Sequence, residues 1–92
     1  MTTTDFPWHP ATDPYIDAVG FWGRLTGVVY KTGFWRVYDQ KRVYARGRGG
    51  REGCESALRK IVKARYAKGR VVVLSAEKVA ERLELIRRWT DG

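Results

Sequence analysis

The stretch "FWRVYDQKRVYARGR", residues 34–48, alternates with a period of two. Trp35, Val37, Val43 and Ala45 take odd positions, while Arg36, Tyr38, Arg42, Tyr44, Arg46 and Arg48 take even ones. Successive side chains of a strand point to opposite faces. The segment therefore reads as a β-hairpin turning at Asp39-Gln40-Lys41, with an apolar odd face for a core and an even face of arginine and tyrosine turned outward. No acid occupies an even position between 34 and 48. Like charges across a hairpin are mildly destabilising, so this face calls for a counter-ion, and a bound polyanion supplies one.

Upstream, "GRLTGVVYK" leads into Thr32-Gly33, a tight-turn pair, and adds a strand in front of the hairpin. Leu25 and Val29 are expected inside, with Arg24, Thr26 and Tyr30 outside. Downstream, Gly47, Gly49 and Gly50 end the sheet. From Glu52 to Lys68, the residues Cys54, Ala57, Leu58, Ile61, Val62 and Tyr66 recur at helical spacing, with Gly69 as C-cap and Arg59, Lys60 and Lys63 opposite. Residues 70–74 read as a fourth strand or an extended connector. Ser75 caps a second helix, Ala76 to Trp89, with a stripe of Val79, Ala80, Leu83, Ile86 and Trp89 and an i,i+4 pair of Glu84 with Arg88. Residues 1–14 hold all three prolines, and residues 15–20 suggest one helical turn ended by Gly20. The expected fold is α+β. An irregular N-terminal arm (1–20) precedes a single domain (21–92), in which a three-stranded antiparallel sheet packs on an amphipathic helix and a second helix follows.

Composition fits one small domain with a modest core: 92 residues, 43% hydrophobic and 13% aromatic. The net charge of +8 is unevenly distributed. Residues 20–75 carry fourteen Lys or Arg against Asp39, Glu52 and Glu55, a local net of +11, whereas residues 1–19 carry three Asp and no base. A basic centre within a folded domain points to a polyanionic partner, nucleic acid first. Cys54 is the only cysteine, which excludes an intrachain disulfide and a cysteine metal cluster. Its place on the helix stripe marks it as a small buried residue rather than a nucleophile. The start "MTTTDFPWHP" lacks a basic region and an apolar run, and no stretch is long enough for a membrane span. A soluble, cytoplasmic setting is the resulting expectation.

The turn "ARGRGGREG" matches neither a dinucleotide fingerprint nor a Walker loop. It reads as a strand-to-helix connection whose Arg48 and Arg51 can reach backbone phosphate. His9 is the sole histidine, in a proline-bounded arm and with no obvious acid partner, so no general base or metal set emerges. The reading is thus non-enzymatic, with no metal, cofactor or small-molecule substrate. Arginine makes bidentate bonds to phosphates and guanine edges, and tyrosine stacks on bases or bonds phosphate. The expected nucleic-acid-binding set is Arg24, Arg36, Tyr38, Arg42, Tyr44, Arg46, Arg48 and Arg51.

The segments "TGFWRVY", "QKRVYARGR" and "CESALRKIVKARYAKGR" resemble the arm-type DNA-binding domain of phage integrases of the tyrosine-recombinase family, and the related plant ethylene-response-factor type domain. Gly27-Val28, Gly33, Trp35, Lys41-Arg42, Glu55 with Ala57, and Gly69 occupy similar places over about residues 27–74. The resemblance implies a sheet that enters the major groove of double-stranded DNA, with Arg36, Arg42, Arg46 and Arg48 as contacts. Trp35 touches DNA in that family, whereas parity here turns it inward. The glycine-rich turn also departs from the family, and no recombinase catalytic segment accompanies the pattern. A free-standing accessory factor of a phage or mobile element is the implied role. Trp22-Gly23-Arg24 also resembles the Trp-Gly-Arg domains that bind DNA ends.

Two other readings compete. A helix at Tyr15–Val19 gives an α-β-β-β-α order like double-stranded-RNA binders or a toxin-type ribonuclease. Alternatively, Phe6, Trp8, Phe21 and Trp22 form an exposed aromatic surface for a protein partner, as in an inhibitor or adaptor. Leu85 lies off the second helix's stripe and, with Trp89, suggests a homodimer or partner surface there.

Overall fold

The computed structural model describes residues 6–11, 13–39, 42–65 and 71–91. Five antiparallel strands run in the order β1 (His9–Pro10), β2 (Ile16–Trp22), β3 (Leu25–Tyr30), β4 (Phe34–Asp39) and β5 (Arg42–Arg48). A two-residue strand, β6 (Val71–Val72), shares the outer edge of β2 with β1. Helix α1 (Gly50–Arg65) follows β5, and α2 (Ala76–Asp91) follows β6. The α+β class and both helices match the sequence reading. The sheet, however, has five strands along its main path rather than three.

The additional strands come from the expected arm. Residues 16–20, read as a helical turn, belong to β2, and Gly20 lies mid-strand opposite Gly27. This strand escapes periodicity because Ile16, Ala18, Val19, Gly20 and Phe21 are all buried, on alternating faces. A doubly covered strand is a continuous apolar run, with no polar face to mark its period. A register shift between Ile16 and Ala18 breaks the pattern further. The α-β-β-β-α order is therefore not present.

Each face of the sheet has its own core. On one face, α1 lays Cys54, Leu58 and Val62 over Leu25, Val29, Trp35 and Val37, with Phe6 completing the cluster. Burying each such aliphatic side chain contributes roughly 1.5–3 kcal/mol. The approach is close: a Cβ on Gly27 would stand 2.9 Å from the Cys54 Sγ. Burial pushes the Cys54 thiol up to about 12, and neighbouring Glu55 adds to this. The thiolate is the nucleophile, so alkylation of the folded chain at pH 8 is expected to be at least about a thousandfold slower than for the denatured chain. Comparable rates by mass spectrometry would contradict this packing.

The other face is covered by α2. Val79, Leu83 and Ile86 join Ile16, Val19, Phe21, Val28 and Tyr38 in the second core. This corrects the expectation of an open even face. Thr26, placed outside by parity, is 2% exposed, and Tyr38 is 1% exposed. Ser75 caps α2 as expected, its Oγ accepting from the Lys78 N–H at 3.3 Å. The surface pair of Glu84 is with Arg87, at 3.8 Å, rather than with Arg88. Leu85 is exposed. The Trp89 side chain, Tyr66, Gly69 and Lys41 lie outside what is described.

His9 ties the chain's two ends together. Its Nδ1 donates to the Val19 carbonyl at 3.2 Å, and its Nε2 accepts from the Leu74 N–H at 3.0 Å. The two backbone groups fix the tautomer. The aromatics proposed for a protein partner are mostly core: Phe6 and Phe21 are buried, and Trp8 and Trp22 pack partly buried against the first cluster. Phe6 meets Trp8 edge-on at 4.7 Å and stacks on Trp22 at 5.8 Å. No helix among the described residues is long and apolar enough to cross a membrane.

Candidate nucleic-acid interface

The β4–β5 hairpin does not keep one parity along its length. Phe34 pairs with Arg48, Trp35 with Gly47, Arg36 with Arg46 and Val37 with Ala45; the register then shifts, and Tyr38 pairs with Val43 and Asp39 with Arg42. Tyr44 is the inserted residue of a β-bulge. Partners directly opposite each other share a face, so Arg42 joins Asp39 on the α1 side. Val43 turns to the α2 side and is 47% exposed. Neither the core role expected of Val43 nor the shared face expected of Arg42 holds.

Beyond the bulge the expected pattern is intact. Arg36, Arg46 and Arg48 stand together on the α2 side, past the area that α2 covers. They line a cleft of about 830 Å³ with Tyr15, Tyr30, Lys31 and Phe34, and no carboxylate among the described residues lines it. Arg48 lies over the Phe34 ring at 4.6 Å and Arg36 over the Tyr30 ring at 5.7 Å. Such contacts hold guanidinium groups in place while leaving their edges free to donate. Among the described residues, no ion pair involves Arg42, Arg46 or Arg48.

Tyr30 lines the cleft, and Tyr38 lies in the core beside it. Burial pushes the half-buried Tyr30 phenol up to about 12, with Tyr38 adding to the shift. Arg36 is held above its ordinary value, first by a hydrogen bond with the Tyr38 hydroxyl. Arg36 is therefore a fixed charge, whereas Arg46 and Arg48 are exposed on an edge strand.

The other expected contacts are engaged within the fold. Arg51 grips Asp17 with two bonds of 2.7 and 3.2 Å, which lowers the Asp17 pKa and raises that of Arg51. Arg24 pairs with Asp39 at 2.9 Å. Of the eight residues expected at the interface, Arg36, Arg46 and Arg48 converge. Tyr38 is buried in the core under α2, Tyr44 occupies the bulge, and Arg24, Arg42 and Arg51 point elsewhere.

Tyr15, Lys31 and Phe34 were absent from the expected set. Phe34 did carry a signal: it is an aromatic at an even position, in step with the arginines. Tyr15 carried none, because only the return of β2 beside β3 brings it there. The Lys31 N–H donates to the Tyr15 carbonyl at 3.0 Å, and the Tyr15 N–H donates to Asp13 Oδ1 at 2.8 Å. The glycine-rich turn connects strand to helix without a phosphate-loop pattern. Among the described residues, no group of three His, Cys, Asp or Glu side chains is placed to hold a metal.

Comparison of the chain with protein-family models, with curated proteins and with solved structures finds no match in any of the three.

Proposed function

We propose that this protein binds nucleic acid without catalysis, taking double-stranded DNA through the arginine-bearing end of its β4–β5 hairpin. The carrying observation is the convergence of Arg36, Arg46 and Arg48 with Lys31 in one cleft that no carboxylate among the described residues lines. The chain's charge of +8 supports the same reading. Electrostatic capture comes first and releases counter-ions; the exposed Arg46 and Arg48 then bond phosphate or base edges. Because α2 occupies much of the sheet face, the hairpin's outer strand, rather than a flat sheet, lies against the duplex. The residue pattern shared with integrase arm-type domains is consistent with a small accessory factor acting on DNA.

Fluorescence anisotropy with a random duplex over a salt series tests this. If five or six phosphates are neutralised, log Kd should change with log salt at a slope of magnitude about 4–6. Arg46→Ala with Arg48→Ala should weaken binding at least about tenfold and make the slope shallower by about 2. Arg24→Ala or Arg51→Ala should change it less, since Asp39 and Asp17 already neutralise those charges. Unchanged affinity in the Arg46/Arg48 double variant would remove this cleft from the interface.

A further inference from the structure

Four aromatic rings border the cleft, and two of them are unusually open for apolar side chains. Tyr15 is 76% exposed and Phe34 44% exposed. Exposed aromatic groups gathered at one concave place mark a binding surface more often than an accident of sequence. The Tyr15 backbone is fixed on both sides, by Asp13 and by Lys31. Its ring therefore stands at the rim on a rigid base. Phe34 is held on its strand with the Arg48 guanidinium over its ring.

Charge capture of a duplex gives the Tyr15 ring no task and uses only the Phe34 face that lies under Arg48. A paired base presents only its edges in the grooves, and its faces are occupied by stacked neighbours. An unpaired base offers a face, and aromatic and guanidinium planes are the groups that take such faces. The cleft, about 830 Å³ in volume, has ample room for a nucleotide, with cations beside it for the flanking phosphates.

We infer that the cleft receives an unpaired nucleobase, stacked against Phe34 and Tyr15, with Arg46, Arg48 and Lys31 on the adjoining phosphates. The ligand class is single-stranded nucleic acid, or a strand end or opened segment next to a duplex. This rests on the nucleic-acid reading above and adds a preference for unpaired bases.

The test uses the intact chain and three labelled probes of equal length, about 12 nucleotides or base pairs: oligo-dT, an abasic strand and a duplex. Oligo-dT is expected to bind about tenfold or more tighter than the abasic strand, since the two strands differ in bases and not in charge. Tyr15→Ala with Phe34→Ala should erase that difference, bringing oligo-dT down to the affinity of the abasic strand. Phe34→Leu, which keeps an apolar side chain on the strand but removes the flat ring, should lose most of the same increment. Equal binding of oligo-dT and abasic strand would overturn the inference and leave the charge-capture reading standing. So would a double variant that keeps the parental preference for oligo-dT over the abasic strand. Binding of none of the three probes at low salt would overturn both.

Discussion

Trp35→Ala is expected to destabilise the protein by about 3–5 kcal/mol, the range for removing a large buried aromatic side chain. A domain of this size has only about 5–15 kcal/mol to lose, so the variant should melt far below the parent or fail to accumulate folded. The cause is specific to this indole. It is 8% exposed, and its Nε1 donates to the Arg48 carbonyl at 2.8 Å, bonding the end of β5. The side chain fits between two glycines: a Cβ on Gly47 would meet the ring at 2.6 Å, and one on Gly53 would stand 2.8 Å from Nε1. Neither glycine has a side chain that could move in to fill the void. Trp35→Phe should cost less, keeping part of the packing and losing the hydrogen bond, and Gly53→Ala should also destabilise despite alanine's better helix propensity. Thermal and denaturant melts followed by circular dichroism measure all three. A Trp35→Ala variant with parental stability and impaired nucleic-acid binding would instead make Trp35 a contact residue, as the integrase resemblance implies.

Tyr38→Ala should cost a similar amount, about 3–5 kcal/mol, and this result separates two descriptions of the even face. Parity alone makes Tyr38 a binding residue, whose loss would leave stability unchanged. The structure buries it in the core that α2 closes. Its loss opens a cavity under Val79, Leu83 and Ile86 and frees Arg36 from the hydroxyl that holds it. Tyr38→Phe isolates that second part and should cost about 1 kcal/mol, the net worth of one hydrogen bond. A marginal effect of Tyr38→Ala on the melting curve would show that α2 does not seal this face.

The proposed cleft was partly legible in residues 34–48. Arg36, Arg46 and Arg48 keep the register in which their alternation was read, up to the bulge at Tyr44. Past it, one inserted residue turns Arg42 and Val43 to faces opposite to those their numbers suggest. A bulge is a one-residue event in strand pairing, and Val-Tyr-Ala carries no glycine to announce it. Arg24 and Arg51 were misplaced for a different reason. Their carboxylate partners lie 15 and 34 residues away in sequence, so their neutralisation depends on long-range contacts.

Sequence alone determined the elements whose causes are local. The α1 stripe of Cys54, Leu58 and Val62 follows from a 3.6-residue period, Ser75 caps α2 through a bond three residues on, and Trp35 and Val37 turn inward by alternation in a short hairpin. The tertiary structure decided which faces stay open. Whether the even face meets water or a helix depends on α2, some forty residues downstream, and nothing within β4 encodes its arrival. The same packing draws Ile16–Trp22 out of the arm into the sheet and sets Tyr15 beside Phe34. Alternation records that a strand has two faces. Only the association of distant apolar surfaces, driven by the area they remove from water, determines which of them remains free to bind.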